Sequence, residues 1–219
     1  MDTIQAQPFL TDVMESLGYD TVTPRVFRAP WSTGEVEHYL YWKFAFRGVG
    51  LTFSFGVRNP ESEKYARDCA SLYGGLDRRK LQTAFRNHHC YMTQFSARLT
   101  SDTEQILMSL FRMSESELRS MATDIVQEKV RPALSSITSL EALRTLLVAD
   151  EERCPWYAVN GAIRAAKLVK LGRMLGIAQH EIKMSLAGHE QDIQRGIRSA
   201  LSAQAYTAKV MSHETDAGS

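Results

Sequence analysis

Recognisable catalytic and metal-binding motifs are missing from this chain of 219 residues. It contains no nucleophile-elbow pattern G-x-S-x-G, no phosphate-loop pattern G-x-x-x-x-G-K-[ST] and no zinc pattern H-E-x-x-H. Its densest reactive cluster is His88, His89 and Cys90, but adjacent side chains of an extended segment point to opposite faces. We therefore predict no catalytic residue, no metal and no cofactor, and we keep an enzyme that uses this cluster as a third alternative.

Cysteines and long apolar runs are also scarce. Cys69, Cys90 and Cys154 are odd in number and widely spaced, which is typical of reduced thiols in cytoplasm rather than of a disulfide framework. Charged residues interrupt the apolar runs well before the roughly 20 residues that a membrane span needs. No basic segment precedes an apolar run at the N-terminus, so no signal peptide is expected. These features predict a cytoplasmic protein with no membrane partner.

The chain also lacks an excess of charge of either sign. The chain has 26 basic and 25 acidic residues, a net charge of +1, which argues against a general nucleic-acid binder. This balance conceals segments of opposite sign, because residues 101–160 hold ten acids and six bases, whereas residues 161–219 hold eight bases and five acids. A charged patch that fits one partner is therefore compatible with the overall neutrality.

Alternation of apolar and polar residues marks strands in the first hundred residues. The clearest pattern covers residues 36–46, and residues 51–57 repeat it after a glycine-rich turn. Two weaker candidates bring the count to about four. No crossover helix separates the first strands, so we predict a mostly antiparallel sheet.

Helical patterns dominate the second half of the chain. Three capping-box patterns, in which a hydroxyl residue stands three positions before a glutamate, each precede an apolar run with helical spacing. They are Ser101 with Glu104, Ser114 with Glu117, and Thr138 with Glu141.

The predicted fold class is α+β. An antiparallel sheet of about four strands lies in the N-terminal half, helices pack on it, and the C-terminal half is all helical. We predict a sheet region over residues 1–100, a helical region over 101–205 that shares its core, and a flexible tail over 206–219.

An acidic cluster followed by aromatics is the first candidate binding site. Asp150, Glu151 and Glu152 follow a helical pattern, and Trp156 and Tyr157 come shortly after a proline turn. Acids at a helix C-terminus oppose the macrodipole and cost the fold some stability, which favours a role in binding a basic partner protein. The alternative is a solvated loop.

Aromatic residues on both faces of the clearest strand are the second candidate. Tyr39 and Tyr41 fall on the face opposite to Leu40 and Trp42. Helices could cover one face and a partner the other, although aromatic strand residues more often belong to the core. Coverage of Tyr39 and Tyr41 by the chain itself would remove this hypothesis.

A row of basic residues provides an alternative function. Arg164, Lys167, Lys170 and Arg173 recur every third residue, so they wind around half of a helix and are most simply a solvated ridge. The segment GRMLGIAQHEIKMSLAG after this row resembles the turn of a helix-turn-helix. A DNA-binding regulator that uses residues 165–199 is therefore the alternative hypothesis.

The order of several segments is similar to that of a known family. A helix ending in LGY leads into a strand pair, then FSARLTS follows, and then EKVRPALSSITSLEALRTLL. Over residues 8–148 this order resembles a bacterial family of unknown function whose members sit beside polymorphic toxins as immunity proteins. The residues that carry the specific part are Arg131, Pro132, Ser139, Leu140 and Leu143.

The resemblance implies an immunity protein that acts in interbacterial competition. Such a protein binds a cognate secreted toxin domain, for which a nuclease is one candidate, and blocks its active site. The motif residues are structural, so no catalytic residue is carried over. The expected partner is a cognate toxin protein, a homodimer is left open, and a nucleic-acid partner is not expected.

Overall fold

The computed structural model describes residues 3–45, 50–69, 72, 93–95, 114–149, 157–158, 161–197 and 201–213. Its strands are β1 (Asp20–Thr23), β2 (Val26–Arg28), β3 (Glu37–Ala45), β4 (Gly50–Arg58), β5 (Thr93–Phe95) and β6 (Tyr157–Ala158). Its α-helices are α1 (Thr3–Ser16), α2 (Pro60–Asp68), α3 (Glu115–Asp124), α4 (Arg131–Leu134), α5 (Leu140–Val148), α6 (Gly161–Met174), α7 (Gln179–Ala187), α8 (Glu190–Gly196) and α9 (Ala203–Ser212). A π-helical segment, Ile125–Val130, joins α3 to α4.

The six strands form one sheet in the order β1-β2-β3-β4-β5-β6. β1 pairs antiparallel with β2, and β2 pairs antiparallel with β3 so that Val26 stands opposite Tyr41. β4 and β6 flank β5 in antiparallel fashion, and Phe95 of β5 faces Phe55 on one side and Tyr157 on the other. Consecutive strands of the chain are thus neighbours in the sheet, although residues 59–92 separate β4 from β5 and residues 96–156 separate β5 from β6.

The predicted α+β class is confirmed. A mostly antiparallel sheet occupies the N-terminal half, and the C-terminal half is mostly helical. The two-residue strand β6 is the exception in a half that was predicted to be all helical, because its residues extend the sheet by pairing with β5.

Two compact units divide the chain, and their boundaries differ from those expected from sequence. Unit 1 consists of Met1–Val57, Thr93–Thr138 and Cys154–Ala158, and unit 2 consists of Arg58–Met92, Ser139–Arg153 and Val159–Ser219. Each unit is assembled from three separate stretches of chain. A boundary near residue 100 therefore does not separate them.

The core of unit 1 contains side chains of the sheet and of two helices. On α1, Leu10, Val13 and Met14 share one face at helical spacing and are fully buried. α1 packs on α3, where Leu118 and Ala122 are also fully buried. Burial of such apolar side chains is the main stabilising contribution to this unit.

The core of unit 2 is built around α6. Ala162, Ala166 and Val169 are fully buried, and these small side chains let neighbouring helices approach closely. α2, α5, α7, α8 and α9 all contact α6. At Gly161 a Cβ atom would lie 2.2 Å from the backbone oxygen of Asp192, so the approach of α8 requires glycine there.

Helix caps follow the predicted patterns with one shift. Ser114 and Glu117 form the expected reciprocal capping box at the start of α3. At α5 the cap is Ser139, whose side chain accepts a hydrogen bond from Ala142 N, so the prediction of Thr138 was wrong by one residue. The first of the three predicted boxes lies outside the described residues.

The C-terminal helix corrects the predicted tail. α9 continues to Ser212, although a flexible tail was predicted from residue 206 onwards. Tyr206 is fully buried and its hydroxyl donates a 2.8 Å hydrogen bond to Ala162 O. Val210 and Met211 are buried as well, and this apolar face of α9 is what fixes the segment in unit 2.

Candidate functional site

Most of the predicted acidic and aromatic cluster lies outside the described residues. This holds for Asp150, Glu151, Glu152 and Trp156. Tyr157 is placed in β6 by its pairing with β5. The role of this cluster in binding stays a prediction.

The reactive cluster His88, His89 and Cys90 also lies outside the described residues, as does Cys154. The remaining cysteine, Cys69, is fully buried. Burial raises the pKa of its thiol to about 12, so this thiol stays protonated near neutral pH and is a poor nucleophile.

The strand hypothesis is corrected at Tyr39. Tyr39 is only 6% exposed and its neighbour Leu40 is fully buried. Successive side chains of a strand point to opposite faces, so the chain itself covers both faces of β3 at this point. Tyr39 is therefore not available to a partner, and Tyr41 is placed by its backbone register opposite Val26.

Exposed carboxylates line one side of α3 and of the π-helical segment that follows it. Glu117, Asp124 and Glu128 are exposed, and their spacing of seven and four residues places them on one helical stripe. We call these three residues the acidic stripe. Hydrogen bonds from the backbone and side chain of Ser114 lower the pKa of Glu117, so this end of the stripe is ionised at neutral pH.

Two arginines in the same part of the chain are directed towards aromatic rings of unit 1. The guanidinium carbon of Arg119 lies 5.1 Å from the ring centre of Phe9, and that of Arg131 lies 6.0 Å from that of Trp31. Cation–π contacts of this kind stabilise by roughly 0.5–1 kcal/mol at exposed sites. Both arginines are thereby held against rings of unit 1. Arg119 projects roughly opposite to the acidic stripe, because a step of two residues from Glu117 turns the helix by about 200°.

A buried histidine lies beneath Trp31. His38 is 1% exposed, and its Nε2 atom lies 2.8 Å from Ile137 O. A carbonyl only accepts, so Nε2 carries the proton and donates. Burial lowers the pKa of His38 to about 4, although the hydrogen bond to Ile137 opposes this shift, and His38 is therefore neutral at pH 7.

The first two residues of the basic row of α6, Arg164 and Lys167, are buried, so this half of the row is not a solvated ridge, contrary to the prediction. Lys167 is 2% exposed and its Nζ atom lies 2.5 Å from Glu63 Oε1 of α2. One turn further, Lys170 Nζ lies 3.0 Å from Glu61 Oε2. Burial lowers the pKa of Lys167 and raises that of Glu63, and the attraction between the two opposes both shifts.

The first residue of the row belongs to a second buried cluster. Arg164 Nη1 lies 3.3 Å from Asp192 Oδ2 and 3.2 Å from His189 Nδ1. Arginine can only donate, so Nδ1 accepts and the His189 proton resides on Nε2. This atom donates to Val148 O over 3.0 Å, and the cluster thereby joins α5, α6 and α8.

The last residue of the row, Arg173, forms hydrogen bonds with the C-terminal end of α9. Arg173 donates to His213 O over 3.0 Å and also to Met211 O. The Tyr65 hydroxyl donates to Val210 O over 2.5 Å. These groups satisfy carbonyls that a helix C-terminus leaves without intrahelical partners, so Arg173 and Tyr65 form a C-terminal clamp on α9.

The burial of two residues of the basic row argues against the DNA-binding alternative. A glycine with a φ of 66°, Gly176, does separate α6 from α7, as a helix-turn-helix would require. Arg164 and Lys167, however, are buried and paired within unit 2. These two side chains cannot reach a phosphate backbone, which removes the main electrostatic support for the alternative.

Sequence reasoning missed these buried charged pairs. A charge at every third position of a helix is typical of a solvated surface. The one available signal was the small, apolar character of the residues between the charges, such as Ala165, Ala166 and Leu168. These residues surround the helix with apolar neighbours and so indicate burial on all sides.

Within the described residues, no group of three or more His, Cys, Asp or Glu side chains is arranged to hold a metal ion. Among the described helices, none combines the length and hydropathy that a membrane span requires. No family model, curated protein or solved structure matches the chain.

Proposed function

We propose that this chain is an immunity protein that binds and neutralises a cognate secreted bacterial toxin domain by occluding its active site. A nuclease is the toxin class that we favour. The acidic stripe is the observation that carries the proposal, because a surface that binds nucleic acid is basic and therefore complementary to exposed carboxylates.

The family resemblance adds independent support. Its motif residues are structural, since Ser139 caps α5 and Leu143 lies in the buried face of that helix.

Co-expression with the toxin encoded beside its gene tests the proposal. We expect rescue from toxicity and a complex that co-purifies. In that complex, the double variant Asp124→Lys/Glu128→Lys should weaken binding at least about 10-fold, because two attractive charges become repulsive. Glu117 is left unchanged because it caps α3.

The matched control is Asp20→Lys/Glu181→Lys. Both residues are exposed and lie outside the stripe, so this variant has the same change in net charge and should bind like the wild type. Absence of rescue together with absence of a complex would overturn the proposed function. Equal weakening by both double variants would overturn the assignment of the acidic stripe, since only the total charge would then matter.

A further inference from the structure

A groove runs along the surface of unit 2 where α7, α8 and α9 meet. Its volume is about 230 Å³, and apolar side chains form most of its lining. The floor consists of Leu186, Ile193, Ala203 and Met211, all of which are at most 6% exposed. The rim consists of Lys183, Ala187, Glu190, Gln204, Thr207 and Ala208.

An exposed apolar side chain stands beside this groove. Met184 is 72% exposed and lies three residues before Ala187 of the rim, so the two are neighbours on the surface of α7. Methionine is unbranched and adapts its shape to irregular apolar sites. The same face of the chain thus carries both a protruding apolar side chain and a hollow that accepts one.

The charges of the rim are self-complementary. Lys183 lies in the middle of α7, whereas Glu190 begins α8, where it accepts a hydrogen bond from Gln204. A two-fold axis that crosses the rim between them would place each lysine opposite the glutamate of the other copy. Self-complementarity of this kind is what an isologous interface requires.

We propose that two copies of this chain associate through this groove, with Met184 of each copy inserted into the groove of the other. Lys183 of each copy pairs with Glu190 of its partner. A stable standard interface buries about 800 Å² per partner, and one short groove covers less than that. The dimer is therefore weak, with a dissociation constant in the micromolar range, and does not depend on the proposed toxin-binding function.

Sedimentation velocity of the full chain over a hundredfold concentration range tests the dimer. The wild type should move from the 24.7 kDa monomer towards twice that mass. Lys183→Glu should weaken the dimer at least about 10-fold, because each copy then places a glutamate against a glutamate. Lys183→Glu/Glu190→Lys should restore it, since the two charges have exchanged places.

Glu181→Lys is the control, because Glu181 is exposed on the same helix but does not line the groove. Met184→Ser should also weaken the dimer, whereas the circular dichroism spectrum of every variant should match that of the wild type. A monomer at all concentrations would overturn the proposal. A dimer that survives Lys183→Glu, or one that the double exchange fails to restore, would place the interface elsewhere.

Discussion

His38 couples the stability of unit 1 to pH. Its ring is buried beside Trp31 and bonded to Ile137 O, and burial lowers its pKa from 6.5 to about 4. Between these two values the unfolded chain binds a proton that the folded chain does not. The stabilising contribution is therefore present above pH 6.5 and is lost as the pH falls towards 4.

We expect the free energy of unfolding to fall by roughly 3 kcal/mol across this interval because of His38 alone. Urea titrations at pH 7, 6, 5 and 4.5 measure it. His38→Gln is the control, since its amide can still donate to Ile137 O but does not titrate. The difference between the two proteins isolates His38 from the carboxylates, and identical pH profiles would contradict its assignment as a neutral buried residue.

Helices α2 and α6 are joined by two ion pairs that differ in their exposure. Lys167 and Glu63 are buried, whereas Lys170 and Glu61 lie one turn away with Glu61 exposed. Removing one partner of a buried pair leaves a charge in an apolar site, whereas an exposed charge is solvated by water. The two pairs should therefore respond differently to the same substitution.

Lys167→Met should lower the free energy of unfolding by about 3–5 kcal/mol, and Lys170→Met should lower it by about 1 kcal/mol or less. Glu63→Leu/Lys167→Met should recover most of the first loss, because no unpaired charge remains. Chemical denaturation followed by circular dichroism measures all three. If the double variant were as unstable as Lys167→Met, packing rather than charge would explain the loss.

Elements with a clear local pattern were the ones that sequence predicted well. The strand β3 follows from its period of two, and the start of α3 follows from Ser114 and Glu117, because both signals lie within a few residues. The environment of Lys167 could not be predicted in this way. Its partner Glu63 is remote in sequence, and only the packing of α2 on α6 brings the two charges together.

The candidate site was predicted less well than the fold. Burial decides whether Tyr39 can face a partner, and burial depends on which elements cover the sheet rather than on the strand itself. The acidic stripe was visible only as an excess of acids over residues 101–160. Its arrangement on one face required the helix to continue from α3 through the π-helical segment.

At the scale of the whole molecule, the two units share their chain in alternating stretches. Cleavage at residue 100, the boundary expected from sequence, should therefore unfold both units. The fragment 1–100 lacks the buried Leu118 and Ala122 of unit 1, and the fragment 101–219 lacks the buried Tyr65 of unit 2.

We expect neither fragment to show a cooperative unfolding transition, whereas the full chain should show one. Thermal unfolding followed by circular dichroism and amide-proton dispersion in NMR spectra are the measurements. A well-dispersed spectrum from fragment 1–100 alone would contradict the assignment of residues 114–138 to its core.

The same alternation has a genetic consequence. The chain passes from one unit to the other at five junctions, after Val57, Met92, Thr138, Arg153 and Ala158. A single recombination crossover after Met92, Thr138 or Arg153 leaves both units hybrid, and one after Val57 or Ala158 leaves one unit hybrid. End-to-end fusion of two ancestral genes does not produce this arrangement. The two units are therefore expected to be inherited together. A chimera of two homologues should be viable only when the chain switches parent at all five junctions, so that each unit comes from a single parent.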